Sequence, residues 1–532
     1  MKKEFLLAIL IASVCFMAHS QPTNINVSQG IYFDGEPYLV VNPTNPQNII
    51  VAYMGVTLSP ARVSIKTKSS FDGGLTWGNY NVLPHFSYTW GSADVSMAIK
   101  NDGTIYLSYI DFRTNPDSGG IYITHSSDGG ISWATPTQVW NANTEDIGKD
   151  PIDRPWLAVD NSSTATNGTL YLTSKPAYWI PMPNRPYLKT SIDGGQTWTP
   201  YRYIDTVNYL VGPYIAQPMA ALTTTADGAL CIAYPSYETS QSVYGKFFLA
   251  KSYSRGATFS YHDLVVNPPT VTDTNFKVGY RLVANPNDAN QLCFVAIGNQ
   301  SNAPNVLAAS SNDGGNNWSN LVRVNDDALG NGIGHDLVWA SYDNNGKLLV
   351  TWRDRRNASG AGYFQSSDIY AAISSDNGAT FSPNIRLSST TVAFDSVLLQ
   401  KGNDFMSCQL VHDSINAVWG DVRTGHLNIF FVKSKDTSGQ GSNVIEVASE
   451  TLPTFGIYPN PAKENFVMDK NDLGNEFDQM ELTDALGNTL LTKLNVQQKE
   501  PINCSHLAQG TYFVTLSDHQ NHHFTQRLLI EK

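Results

Sequence analysis

Ser70-Phe71-Asp72-Gly73-Gly74-Leu75-Thr76-Trp77 is an octet that keeps returning along the chain. It recurs as Ser126-Ser127-Asp128-Gly129-Gly130-Ile131-Ser132-Trp133 and Ser191-Ile192-Asp193-Gly194-Gly195-Gln196-Thr197-Trp198. Two further copies are Ser311-Asn312-Asp313-Gly314-Gly315-Asn316-Asn317-Trp318 and Ser374-Ser375-Asp376-Asn377-Gly378-Ala379-Thr380-Phe381. A worn copy runs from Ser252 to Phe259, with Ser254 in the aspartate's place. The third positions, 72, 128, 193, 254, 313 and 376, lie 56, 65, 61, 59 and 63 residues apart, the length of one four-stranded propeller blade. Ahead of the octets stand alternating β-branched and aromatic runs ending at Tyr53, Tyr109, Ser174, Tyr234, Ala296 and Trp352. A seventh run ends at Trp419 and leads to Ser434-Lys435-Asp436, a vestige of the octet. The expected fold is all-β: a six- or seven-bladed β-propeller over residues 21–446, seven being favoured by the repeat count. A blade buries its faces only against its neighbours, and Asn24 to Gln29 is expected to supply a strand that shuts the ring.

Within each octet the aspartate can accept hydrogen bonds from its own turn, the glycines permit positive φ, and the Trp or Phe packs back into the blade. Asp72, Asp128, Asp193, Asp313 and Asp376 are therefore expected to be structural clips. Three second strands end in aromatic-x-Asp-x-Arg: Tyr109 to Arg113, Trp352 to Arg356, and Trp419 to Arg423. Because that pattern also recurs, its first reading is an Asp–Arg pair that fixes a loop.

Composition agrees with a turn-rich β chain: 15% charged residues, 11% aromatic, 40 Gly and 27 Pro. A net charge of -12 without any basic run excludes nucleic acid as a partner. Residues 1–20 have the basic start, short apolar run and small residues of a cleavable signal peptide, and no transmembrane segment is expected in the mature chain. Cys231, Cys293, Cys408 and Cys504 are too scattered for a zinc site or a disulfide framework. Cys231 and Cys293 occupy equivalent repeat positions and read as buried free thiols. No metal or cofactor is expected. The oxygen-rich loop Asp160-Asn161-Ser162-Ser163 reads as a solvated turn, structural calcium being the alternative.

The octets match the Asp box, or bacterial neuraminidase repeat, so residues 24–446 resemble the sialidase superfamily. The resemblance implies that the boxes lie on the face away from the reaction centre, and that chemistry sits in the opposite loops, after second strands and before first strands. Sialidases carry a strand-ending arginine, a loop aspartate as acid/base, then a strand and an Asp box. By that comparison Arg356 with Asp368 is the closer match and Arg113 with Asp117 the other. The resemblance further implies an arginine triad for the substrate carboxylate, with Arg113, Arg154, Arg281, Arg356 and Arg423 as candidates. It also implies a tyrosine nucleophile, for which Tyr280 is placed at a strand start. The family's Arg-Ile-Pro signature is absent.

A polar stretch over 447–454 marks a linker. Beyond it stand Ile457-Tyr458-Pro459-Asn460-Pro461, Asp484-Ala485-Leu486-Gly487-Asn488, Leu507-Ala508-Gln509-Gly510-Thr511-Tyr512-Phe513 and Leu529-Ile530-Glu531-Lys532. Period-two runs between such turns predict a small β-sandwich over 455–532. These segments resemble the type IX secretion C-terminal sorting domain of Bacteroidetes, which implies export to the cell surface or medium through the type IX machinery. The functional expectation is a surface or secreted glycosidase of the sialidase type that removes terminal sialic acids from glycans. The competing readings are a non-catalytic propeller that binds glycan or protein, and a lyase or endo-glycosidase on another polysaccharide.

Overall fold

The alternating runs pair as antiparallel strands in the computed structural model, which describes residues 23–114, 117–148, 152–176, 186–205, 220–236, 246–266, 268–399, 402–436, 455–470, 479–484, 488–518 and 523–532. The expected signal peptide (1–20), the linker (447–454) and the side chain of Asp117 lie outside the described residues. Contacts divide the chain into two compact units, residues 1–441 and 442–532.

The first unit contains seven four-stranded sheets among its described residues. Their innermost strands, in order, are Asp34–Val41, Gly91–Ile99, Ile152–Val159, Ala221–Thr224, Tyr280–Ala284, His335–Tyr342 and Ser407–Val411. Each touches the next, and the seventh touches the first, so the sheets form a closed ring of blades. Six blades are continuous in sequence. The seventh takes its outer strand from the other end of the unit, Asn24–Asn26, with Asn24 opposite Val432 and Asn26 opposite Phe430. Closure thus comes from the segment expected to supply it.

The octets make the turn between the third and outer strands. In the five intact copies the serine hydroxyl donates to the aspartate at 2.7–2.9 Å, and the backbone N–H four residues beyond the aspartate donates to the same oxygen at 2.9–3.0 Å. Left-handed glycines such as Gly73 and Gly74, with φ of 74° and 91°, let the chain turn tightly enough for this. In the worn copy Ser254 takes the aspartate's part and accepts from Thr258 N–H at 2.9 Å. The seventh blade needs no such turn, because its outer strand arrives from elsewhere, and its Asp436 instead accepts from Lys347 at 2.7 Å.

The hydrophobic core lies between blades and along the axis. Cys231, Cys293 and Cys408 are buried free thiols within it, and burial pushes each up to about 12. The second unit has a three-stranded and a four-stranded sheet, closed over a core that includes Phe466, Met480, Val514 and Leu528. No helix among the described residues is long and apolar enough to cross a membrane.

Candidate active site

Octets fall between third and outer strands, so first-strand beginnings and second-strand ends share the opposite face. On that face the innermost strands of four blades carry a register break: between Gly35 and Tyr38, Ala93 and Ser96, Asp153 and Trp156, and Asp336 and Trp339. Each break holds a non-glycine residue in the left-handed region: Glu36 (φ 51°), Asp94 (53°), Arg154 (52°) and Leu337 (54°). A bulge of this kind re-aims a side chain at a backbone cost that the surrounding structure must offset. Three of the four re-aimed residues have ionisable side chains, and they meet.

Arg154 Nη2 donates to Asp404 Oδ2 at 2.7 Å, and Lys277 Nζ donates to the other oxygen of Asp404 at 2.7 Å. The Arg154 amide donates to Asp94 at 3.2 Å. Asp94 lies within hydrogen-bonding reach of Glu36 on one side and Asp153 on the other. Arg154, Lys277, Tyr280, Trp339, Asp404 and Phe405 line the cleft over this cluster.

The carboxyls differ in protonation. Burial and the nearby Asp153 charge raise Asp94 to about 7. Burial, with Asp94 and Asp404 beside it, holds Glu36 protonated well above its usual range. The Asp404 side chain, though also removed from water, is kept below the usual range by the Arg154 and Lys277 cations. The cluster therefore joins a carboxyl that exchanges its proton near neutrality, Asp94 beneath the Arg154 amide, to a carboxylate that lines the cleft and stays charged, Asp404. Among the described residues no group of three or more His, Cys, Asp or Glu side chains is arranged to hold a metal ion.

Of the residues singled out from sequence, Arg154 and Tyr280 reach this cleft, and Arg281 lies beside Trp339, its guanidinium carbon 4.0 Å from the ring centroid. The Tyr280 ring packs on Phe247 and Phe294 between blades, where burial holds its hydroxyl protonated far above its ordinary range. Of the other three arginines, Arg113 lies at the end of the second strand of its blade, and Arg356 and Arg423 lie just beyond theirs. Arg356 grips Asp354 at 2.8 Å and Asp326 at 2.6 Å, while Arg423 grips Asp421 at 2.6 Å. In the second blade Asp111 pairs with His85 at 2.7 Å, not with Arg113. Asp368 is buried and accepts from Arg386 at 2.7 Å and Ser388 at 2.7 Å. The strand-end pattern thus makes loop clips in two blades, and it does not bring Arg113, Arg356 or Arg423 to the axis.

Glu36, Asp94, Asp153, Lys277 and Asp404 were not singled out from sequence. Their signal was faint: a charge two residues before an inner-strand aromatic (Glu36 before Tyr38, Arg154 before Trp156), with Asp94 one repeat away from both.

Comparison with known proteins adds the following. The chain is 14% identical to a Hadza microbial sialidase, covering 76% of this chain and 66% of that one, with a TM-score of 0.38. It is 16% identical to a protein of unknown function from Dyadobacter fermentans, covering 66% and 98%, with a TM-score of 0.39. It is 13% identical to an α-L-arabinofuranosidase from Fusarium graminearum, covering 65% and 93%, with a TM-score of 0.37. The chain spans just under two thirds of the Hadza sialidase. No curated protein matches it. Residues 456–531 match the model described as a secretion system C-terminal sorting domain, so the second unit is a type IX sorting module that directs the chain to the cell surface or the extracellular space.

Proposed function

We propose that the propeller is a glycoside hydrolase whose reaction centre is the axial cleft, with Asp94 as general acid/base and Asp404 as its ionised partner. The carrying observation is the split between these carboxyls: Asp94 is raised to about 7, and Asp404 is held charged by Arg154 and Lys277. Glycosidic cleavage by two carboxyls has this requirement. The protonated Asp94 gives its proton to the leaving oxygen as the glycosidic bond breaks. The charged Asp404 stabilises the positive charge that develops on the sugar ring, and a water then adds to the anomeric carbon, its proton passing to the Asp94 carboxylate so that the free sugar leaves and the acid is restored. Trp339 and Phe405, both buried, form the apolar part of the cleft's lining.

A neutral glycan suits this cleft better than sialic acid. A carboxylate substrate needs converging guanidinium groups, whereas here Arg154 is already paired with Asp404 and the carboxyls of Glu36, Asp94 and Asp153 stand around that pair. Exo-sialidase action remains the second reading, favoured by the five Asp-box-like octets. The test is turnover of a panel of aryl glycosides, neutral furanosides and pyranosides beside sialosides, by the full mature chain. The expected result is hydrolysis of a neutral glycoside that falls roughly 10²–10⁴-fold in Asp94→Asn and in Asp404→Asn. Hydrolysis confined to sialosides would restore the sialidase reading. Glycan binding without turnover of any member would make the propeller a binding module.

A further inference from the structure

Arg281 is a buried cation on the ring axis, and among the described residues no carboxylate forms an ion pair with it. It is carried by the innermost strand of the fifth blade and is only 9% exposed. Its guanidinium carbon lies 4.0 Å from the Trp339 ring centroid and 5.3 Å from that of Trp156. Those tryptophans come from the sixth and third blades, so the guanidinium stands between opposite sides of the ring. Its Nε and Nη1 are buried and have no hydrogen-bond partner among the described residues. Arg353 and Arg154 each leave one buried nitrogen without a partner among the described residues, but both are ion-paired: Arg353 bidentately with Asp336 at 2.8 and 2.6 Å, and Arg154 with Asp404 at 2.7 Å.

One neighbour is orphaned too. Among the described residues Trp156 Nε1 is buried without a partner, while the hydroxyl of Thr351, which pairs across the sheet with Trp339, reaches the Cys408 thiol that also faces Arg281. Guanidinium and indole are donors only. A lone water could accept their hydrogens, but a neutral molecule would leave the guanidinium charge without an anion. A desolvated cation without a partner is strongly disfavoured.

We propose that this pocket binds a small monovalent anion of the halide class, chloride in solution, held by Arg281 Nε and Nη1 and by Trp156 Nε1. The ion links the third, fifth and sixth blades through the axis, and its role is independent of any turnover at the cleft above.

The test is the thermal midpoint of the full chain against chloride at constant ionic strength, with gluconate, too large for the pocket, making up the balance. The expected result is a saturable rise of several degrees with chloride, reproduced by bromide. Arg281→Met should abolish the dependence, and a bromide-soaked crystal should show an anomalous peak beside Arg281. If Arg281→Met does not fold, the wild-type titration and the bromide peak decide the matter. A midpoint indifferent to chloride, no bromide beside Arg281, or a chloride effect that persists in folded Arg281→Met would overturn the proposal and leave a water-filled pocket.

Discussion

Asp94 sits at a left-handed bulge position, φ 53°, where its carboxyl is pressed between Glu36 and Asp153. A carboxyl raised to about 7 in the fold, against 3.8 in the unfolded chain, contributes fully to stability below pH 3.8 and loses that contribution as pH climbs through 7. Asp94→Asn should therefore raise the unfolding midpoint at pH 8, with little change at pH 4, while removing turnover. If the residue acts as the acid, kcat/KM of the wild type should fall as pH rises through 7. His335 has the opposite relation to charge. Its Nδ1 faces the Pro304 carbonyl at 2.8 Å, which only accepts, and its Nε2 stands 3.2 and 3.3 Å from Asp354 and Asp327. Both nitrogens must then carry hydrogen, and the two carboxylates raise the imidazolium to about 9 despite burial. Its stabilising effect is complete below pH 6.5 and is lost as pH rises toward 9. His335→Gln should cost about 3 kcal/mol in urea unfolding at pH 6, and the gap from wild type should narrow by pH 9.5.

The octet was legible from sequence because its hydrogen bonds close within eight residues: serine, aspartate, glycine and threonine satisfy one another whatever lies beyond. The axial cluster was not. Glu36, Asp94 and Arg154 come from three blades, share no motif, and meet only because a bulge in each inner strand turns them to one point. Arg113, Arg356 and Arg423 drew notice by repeating, but repetition is what a loop clip produces, as Asp354 with Arg356 and Asp421 with Arg423 show. The octet's local closure makes it testable by repair. Ser254 already accepts Thr258 N–H at 2.9 Å, so Ser254→Asp should raise the thermal midpoint. Asp376→Ala should lower it more than Ser254→Ala does: both residues contact the serine two before and the N–H and hydroxyl of the threonine four beyond, but the ionised Asp376 makes these as charge-assisted hydrogen bonds. Equal effects of the two alanines would deny the clip its stated role.

At the scale of the whole molecule the ring is held shut by three residues, Asn24–Asn26, on the edge of the seventh blade. Asn24 reinforces them: its side-chain oxygen accepts from Ser389 N–H at 2.6 Å and from Arg423 at 3.1 Å, and its amide donates to Leu387 at 2.9 Å. Asn24→Ala should lower the unfolding midpoint and expose the Asn428–Lys435 strand to hydrogen exchange before the other blades, since an unlatched edge opens first. Ring closure also brings the Glu36 and Asp94 bulges beside Asp404 of the seventh blade, so the cleft chemistry rests on it. The protonation of Asp94 is thus where fold and function meet, and it can be read without knowing the substrate. Difference infrared titration of the full chain, with Asp94→Asn as the subtracted reference, should show one aspartic carboxyl band converting to carboxylate around pH 7. If the wild type and the variant differ only below pH 5, the axial cluster is not the acid–base centre described above.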